Sequence, residues 1–264
     1  AAADEAAASG VDWIFAPMVD IARDPRWGRV AEGSGEDPFL GQAMARARVR
    51  GFQARGLAGD KRVVSCPKHY VAYGAAEGGK DYNTVDVSER VLRDVYLPPF
   101  KAALDEGAGS IMSSFNEISG VPASANAFIL RQILREEWGW PGVVLSDYDA
   151  IGELIQHGLA ADLKEAALKA ALAGEDIDMM SRAFPNHLAD LVREGQVPEA
   201  LIDQAVLRIL CLKLALGIFE HPYTDETLAS LQAVSGDLTR VIRTTYTGGS
   251  AVGPEDHAPL ALAE

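Results

Sequence analysis

The sequence predicts an α/β protein of the parallel-barrel type. Five short and almost wholly apolar runs recur about 30 to 50 residues apart, a spacing typical of strands joined through helices rather than hairpins. Continuous apolarity is typical of parallel strands that are covered on both faces. The segments between the runs carry helical start and stop signals. The five predicted strands are residues 13–17, 63–66, 110–113, 143–146 and 177–180.

Each predicted helix is delimited by its own residues. Pro38 suits a first helical position, and that helix runs to about Gln53. Ser88 is a predicted N-cap, and we expect Pro98 and Pro99 to interrupt the helix that follows it. Three further helices are predicted to begin directly after Asn126, Asp162 and Pro198 and to end at Gly139, Gly174 and Gly217.

The same pattern divides the chain into residues 1–223, which form one barrel-type domain, and residues 224–264, an irregular tail of Gly, Pro and small residues. Residues 1–10 have neither the basic start nor the apolar centre of a secretory signal. We interpret them as the end of a helix, and they leave the localisation of the protein open.

Composition excludes several classes of protein. With 264 residues, of which 48% are hydrophobic and 23% charged, the chain is neither disordered nor fibrous. A net charge of −14 argues against nucleic acid or an anionic membrane surface as a partner and favours a neutral small molecule. No apolar run is long enough to span a bilayer. Two cysteines and five scattered histidines predict no metal site, and no motif indicates a cofactor.

In parallel barrels the active site lies where the strands end. Asp147 directly follows the fourth strand, where a carboxylate can serve as nucleophile or base, or can simply cap a helix or pair with an arginine. Lys68 and His69 follow the second strand. They suit hydrogen bonding to sugar hydroxyls or a lysine Schiff base, and the alternative is a surface lysine beside a structural histidine.

The loop after the first strand reads RDPRWGR, from Arg23 to Arg29. Its arginine forks suit polar recognition, and Trp27 offers a flat face that either stacks on a sugar or packs in a core. The alternative is a loop held together by salt bridges to nearby acids such as Asp20, Asp24 and Glu32.

Taken together, these segments resemble the catalytic barrel of glycoside hydrolase family 3, especially that of bacterial β-glucosidases. The resemblance covers roughly residues 10–223 and rests on four runs that occur in the family's order: WIFAPMVDIARDPRWGRVAEGSGEDPFL, KHYVAYGAAEGGKDYNTVDVSERVLRDVYLPPFKAALDEG, IMSSFNEISGVPAS and GVVLSDYDAI. It implies a (β/α)8 TIM-barrel-like fold, of which this chain holds about five of eight strands.

The resemblance also implies roles for individual residues. Asp147, in the SD-aromatic motif, becomes the catalytic nucleophile of a retaining hydrolase of β-glucosides, with no cofactor. The implied substrate-binding residues are Arg29, Lys68, His69, Met112 and Phe115. Many relatives carry Tyr in place of Phe115, and Asp149 replaces a common Gly, which we interpret as tolerated loop variation.

The resemblance assigns no general acid/base to this chain, since in two-domain relatives that residue comes from a following domain. An incomplete barrel leads us to expect a homo-oligomer formed by strand or domain exchange. Relatives are often periplasmic or secreted. The alternatives are a β-xylosidase of the same family, a non-catalytic sugar-binding or assembly subunit, and an aldolase-like enzyme that uses Lys68.

Overall fold

Parallel pairing joins the five predicted strands in chain order. The computed structural model describes residues 2–53, 57 and 63–224. Strands β1 (Ser110–Met112) and β4 (Val143–Leu145) form a parallel ladder in which Ser110 lies opposite Val143. Single parallel bridges attach the other three segments: Trp13 to Val64, Met18 to Lys68, Tyr70 to Ser113 and Leu145 to Ile177. The α/β class is therefore confirmed, while closure of an eight-stranded barrel stays a prediction.

A small hairpin interrupts the path from β1 to the next helix. Strands β2 (Glu117–Ile118) and β3 (Val121–Pro122) pair in antiparallel fashion. The two residues between them, Ser119 and Gly120, have φ values of 51° and 86°, as a tight primed turn requires. The sequence did not indicate this hairpin because its strands are only two residues long.

The helices begin and end close to their predicted signals. Ser88 Oγ accepts a hydrogen bond from the Val91 amide, and Asp162 Oδ1 accepts one from the Glu165 amide. Gly174 and Gly217 adopt the left-handed conformation that ends helices. The helices are α1 (Ala2–Ala8), α2 (Pro38–Gln53), α3 (Glu89–Val91), α4 (Leu97–Asp105), α5 (Leu163–Ala173), α6 (Ala183–Arg193) and α7 (Glu199–Leu216), with π-helical segments at Leu92–Tyr96 and Phe128–Glu137.

Two helical expectations were wrong. Pro98 and Pro99 do not end their helix, which continues to Asp105, because both prolines occupy the first positions of α4, where a missing amide hydrogen costs little. The wide-turn segment Leu92–Tyr96 directly precedes them. The sequence reading also missed α6, in which Pro185 falls in the first helical turn and was therefore compatible with a helix.

The main core lies between the strands and the helices α2, α4 and Phe128–Glu137. Helix α2 approaches its neighbours most closely at Gly41, where an added Cβ would lie 2.8 Å from Ile21 Cδ1 and 3.2 Å from Pro99 Cγ. A second core joins α5 and α6. Helix α7 contributes no fully buried residue to either core, and its Leu207 and Leu214 side chains are about 60% exposed.

Candidate active site

Three buried side chains from three strand ends form a line. His69 follows the second strand, and its Nδ1 lies 2.9 Å from Asp20 Oδ2, an oxygen that also accepts the His69 backbone N–H at 3.0 Å. His69 Nε2 lies 3.5 Å from Asp147 Oδ2. Because a carboxylate only accepts hydrogen bonds, Nδ1 carries its proton toward Asp20, and Nε2 is the nitrogen that faces Asp147. Asp20 thereby orients the His69 ring.

Asp147 is a buried carboxyl group surrounded by positive charge. Burial raises its pKa, whereas His69, the Tyr148 amide, Lys68 and Arg29 act in the opposite direction. Asp147 Oδ1 accepts the Tyr148 N–H at 2.6 Å. Within the described residues, Asp147 Oδ2 has no hydrogen-bond partner. One oxygen is therefore held in place, and the other keeps its lone pairs available for attack on an electrophile.

Arg29 reaches this group from the first loop. Its guanidinium makes a two-pronged ion pair with Glu32, at 2.7 and 2.8 Å, and lies 5.6 Å from the centre of the Tyr73 ring. The charges of Lys68 and His69 contribute with Arg29 to a lowered pKa of Glu32, so these residues form one cluster. Arg29 therefore holds its loop together through the ion pair with Glu32 and also lies within electrostatic reach of Asp147, and sugar binding by this loop stays a prediction.

The other residues of that loop do not join the cluster. Arg26 is exposed and pairs with Asp24. Trp27 is fully buried, donates its Nε1–H to Asp81 at 3.0 Å and packs edge-to-face on Tyr73. Of the two uses that the sequence left open for Trp27, the structure therefore shows packing in a core.

Met112 and Phe115 lie in apolar clusters next to the strand ends. Met112 is buried with Cys66 and Leu145, and its ladder partner Leu145 precedes Asp147 by two residues. Burial raises the pKa of the Cys66 thiol to about 12. Phe115 packs with Tyr73 at a ring distance of 5.8 Å. The structure thus brings Arg29, Lys68 and His69 around Asp147, and contact of Met112 and Phe115 with a sugar stays a prediction.

Sequence reasoning missed two carboxyl groups of this region. Asp20 was noted as a polar residue after the first strand and as a member of an ionic loop, and it was given no role in the site. Glu153 is partly buried, and burial together with the charges of Asp149 and Asp147 raises its pKa to about 7. Asp149 itself has a φ of 58°, a left-handed conformation that favours Gly and that Asp tolerates better than most residues. This explains how Asp can occupy a position where Gly is common.

Among the helices in the described ranges, none is both long and apolar enough to cross a bilayer.

Comparison with known proteins agrees with the geometry. The chain is 44% identical over 220 residues to the periplasmic β-glucosidase of Salmonella typhimurium, a match that covers 83% of this chain and 29% of that protein. It is 38% identical to a β-xylosidase of Formosa agariphila, covering 83% of this chain and 32% of the relative. The chain thus spans about a third of the length of the relatives it matches.

A solved structure gives the same result. The β-glucosidase of Listeria innocua in complex with glucose superimposes with a TM-score of 0.84 at 44% identity, over 87% of this chain and 32% of that one. The profile of the family described as glycosyl hydrolase family 3 N terminal domain matches residues 1–212. The chain therefore belongs to glycosyl hydrolase family 3, of which it carries the N-terminal domain.

Proposed function

We propose that this chain supplies the nucleophile and the sugar-binding cations of a retaining β-glucosidase. The reaction is hydrolysis of terminal β-D-glucosyl residues from β-glucosides or short β-glucans. The observation that carries the proposal is the environment of Asp147, a buried carboxylate of which one oxygen has no hydrogen-bond partner among the described residues, with the His69 ring beside it and the charges of Lys68 and Arg29 within electrostatic reach. The relation to a periplasmic β-glucosidase at 44% identity supports glucose as the sugar.

The proposed mechanism has two displacements. Asp147 Oδ2 attacks the anomeric carbon while the glycosidic C–O bond breaks, and a glycosyl ester forms with inverted configuration. Water then attacks the same carbon, the ester bond breaks and Asp147 is regenerated, which restores the original configuration. The leaving oxygen takes up a proton in the first step and the attacking water gives up a proton in the second, which balances the reaction, and we assign neither transfer to a residue of this chain.

Arg29, Lys68 and His69 bind the sugar in this proposal. Lys68 and Arg29 carry only donors, so they suit the oxygens of neighbouring hydroxyl groups. His69, whose ring is oriented by Asp20, presents Nε2 to the same space. Fixing the sugar in this way places its anomeric carbon next to Asp147, and well-oriented reactants gain several kcal/mol, about 7–11 at the upper limit.

A second candidate is β-xyloside hydrolysis by the same residues, favoured by the 38% identity to a β-xylosidase. Xylose lacks the hydroxymethyl group of glucose, and the reacting atoms are otherwise the same. A non-catalytic sugar-binding or assembly subunit is the alternative outside catalysis.

The test is mass analysis of the intact protein after incubation with dinitrophenyl 2-deoxy-2-fluoro-β-glucoside. The dinitrophenolate leaves without acid assistance, and the fluorine slows hydrolysis of the ester. We expect one added fluoroglucosyl group, absent in Asp147→Ala. Asp149→Gly is the matched control, because it removes the neighbouring carboxylate at a left-handed position that Gly readily adopts.

Three outcomes separate the candidates. Faster labelling by the corresponding 2-fluoroxyloside moves the proposal to xylosides. Stabilisation by glucose without any adduct favours the non-catalytic subunit. An adduct of full yield in Asp147→Ala would show that another residue is the nucleophile.

A further inference from the structure

A row of packed aromatic rings extends from His69 to the protein surface. The ring centres of His69 and Tyr73 are 5.0 Å apart, those of Tyr73 and Phe115 are 5.8 Å apart, and those of Phe115 and Tyr82 are 4.7 Å apart. The first three rings are buried, whereas Tyr82 is 48% exposed. Tyr82 is therefore the outer end of a row of packed aromatic rings, and His69 at the inner end of the row lies next to Asp147.

Tyr82 also lies within electrostatic reach of the reacting group. Burial is the largest cause of a raised pKa of the Tyr82 hydroxyl. The charges of Glu153, Asp81 and Asp147 raise this pKa further, and Arg29 acts in the opposite direction. The side chain is thus near Asp147, yet it belongs to neither the cationic cluster nor the buried core.

The turn that carries Tyr82 is built to hold this position. Tyr82 has a φ of 61°, which is rare for an aromatic residue and persists only where the surroundings impose it. On one side, Asp81 accepts the Trp27 indole N–H at 3.0 Å. On the other, Asn83 Nδ2 donates to the Glu77 carbonyl at 3.0 Å. Both neighbours of Tyr82 are therefore anchored, which holds the half-exposed ring against Phe115.

We propose that Tyr82 forms a stacking wall of the leaving-group subsite. It would take aglycones with a flat apolar face, such as an aryl group or the CH face of a second pyranose. This inference rests on the proposed function, since a leaving group occupies the space outside the sugar that Asp147 attacks. The edge-to-face contact with Phe115 leaves the Tyr82 ring partly exposed, and aromatic rings pair favourably with other flat apolar surfaces.

The experiment compares two donors that deliver the same fluoroglucosyl group. Dinitrophenyl 2-deoxy-2-fluoro-β-glucoside has an aryl leaving group that can stack, and 2-deoxy-2-fluoro-β-glucosyl fluoride has a leaving group too small to do so. For Tyr82→Ala we expect the ratio of the aryl-donor to the fluoride-donor labelling efficiency to fall about 3- to 10-fold, the value of one aromatic contact. Tyr82→Phe keeps the ring and should keep the ratio.

Tyr223→Ala is the matched control. Tyr223 is 90% exposed, and the following residue Thr224 packs on Gly10, before the first strand and hence at the opposite end from Asp147. An unchanged ratio in Tyr82→Ala, or an equal loss with both donors, would overturn the role of Tyr82 while leaving the proposed nucleophile in place. Absence of any adduct in the unmodified protein with either donor would overturn the proposed function, and this inference with it.

Discussion

Asp20 is the residue whose removal tests the architecture of the site most directly. Its side chain is 2% exposed, and one oxygen, Oδ2, accepts both the backbone N–H and the Nδ1–H of His69, at 3.0 and 2.9 Å. In Asp20→Ala both donors remain buried and lose their partner. Each unsatisfied buried donor costs about 1–3 kcal/mol, so we expect a loss of about 2–6 kcal/mol in the free energy of unfolding.

Asp20→Asn separates stability from positioning. The amide oxygen can replace Oδ2 as the acceptor of both bonds, so the fold should survive. The negative charge beside the His69 ring is lost, and the amide can also turn its NH2 group toward Nδ1, which reverses the tautomer that faces Asp147. We expect the rate of fluoroglucosyl labelling to fall about 10- to 100-fold, because small misplacements at a reacting centre have effects of this size.

The assay is urea unfolding followed by circular dichroism, combined with the labelling rate from intact mass. Asp24→Ala is the control, since this half-buried carboxylate of the same loop pairs only with exposed Arg26 among the described contacts. Its unfolding midpoint should match that of the unmodified protein. The reasoning is refuted if Asp20→Ala unfolds at the same urea concentration as Asp24→Ala, or if Asp20→Asn is labelled as fast as the unmodified protein.

Three further predictions concern pH, the core and association. The pKa of Glu153 is raised to about 7 in the folded protein, so the stability that its protonated form provides is present below about pH 4.5 and is lost as the pH rises through 7. At pH 8 the free energy of unfolding of Glu153→Gln should exceed that of the unmodified protein by about 1 kcal/mol after allowance for solvent screening, and thermal unfolding of the two proteins should coincide at pH 4. Asp176→Ala leaves Arg135 and Arg208 without the carboxylate that they contact at 2.9 and 2.8 Å. Urea unfolding should therefore show a decrease of about 3–5 kcal/mol in the free energy of unfolding, and a decrease below about 1 kcal/mol would contradict this. The exposed apolar side chains of α7 support the expected homo-oligomer. Light scattering at micromolar concentration should show association of the unmodified protein, and the double variant Leu207→Glu, Leu214→Glu should abolish this association. A folded monomer of the unmodified protein would refute the expected homo-oligomer.

Much of the fold could be predicted because its signals are local. The caps at Ser88 and Asp162 and the stops at Gly174 and Gly217 act within one helical turn, so each is readable from a few adjacent residues. The apolar runs identified strands for the same reason. Pro98 was misinterpreted because the same residue type breaks a helix in its interior and is accepted at its start, and only the position of the helix distinguishes the two.

The domain division stays a prediction, since residues 225–264 lie outside the described part of the chain. The same holds for the roles of Met112 and Phe115. Both residues lie in the layer next to Asp147, yet their positions alone do not establish contact with a sugar.

The α/β class, the family resemblance and the candidate nucleophile follow from the sequence alone, because apolar periodicity, capping residues and the motifs around Asp147 are properties of contiguous segments. The orientation of His69 by Asp20, the burial of Trp27 and the raised pKa of Glu153 arise only in the folded chain. These facts depend on contacts between residues as much as 54 positions apart and on the exclusion of water around them. Distance and desolvation set hydrogen bonds and charge, and neither is encoded in any single stretch of the chain.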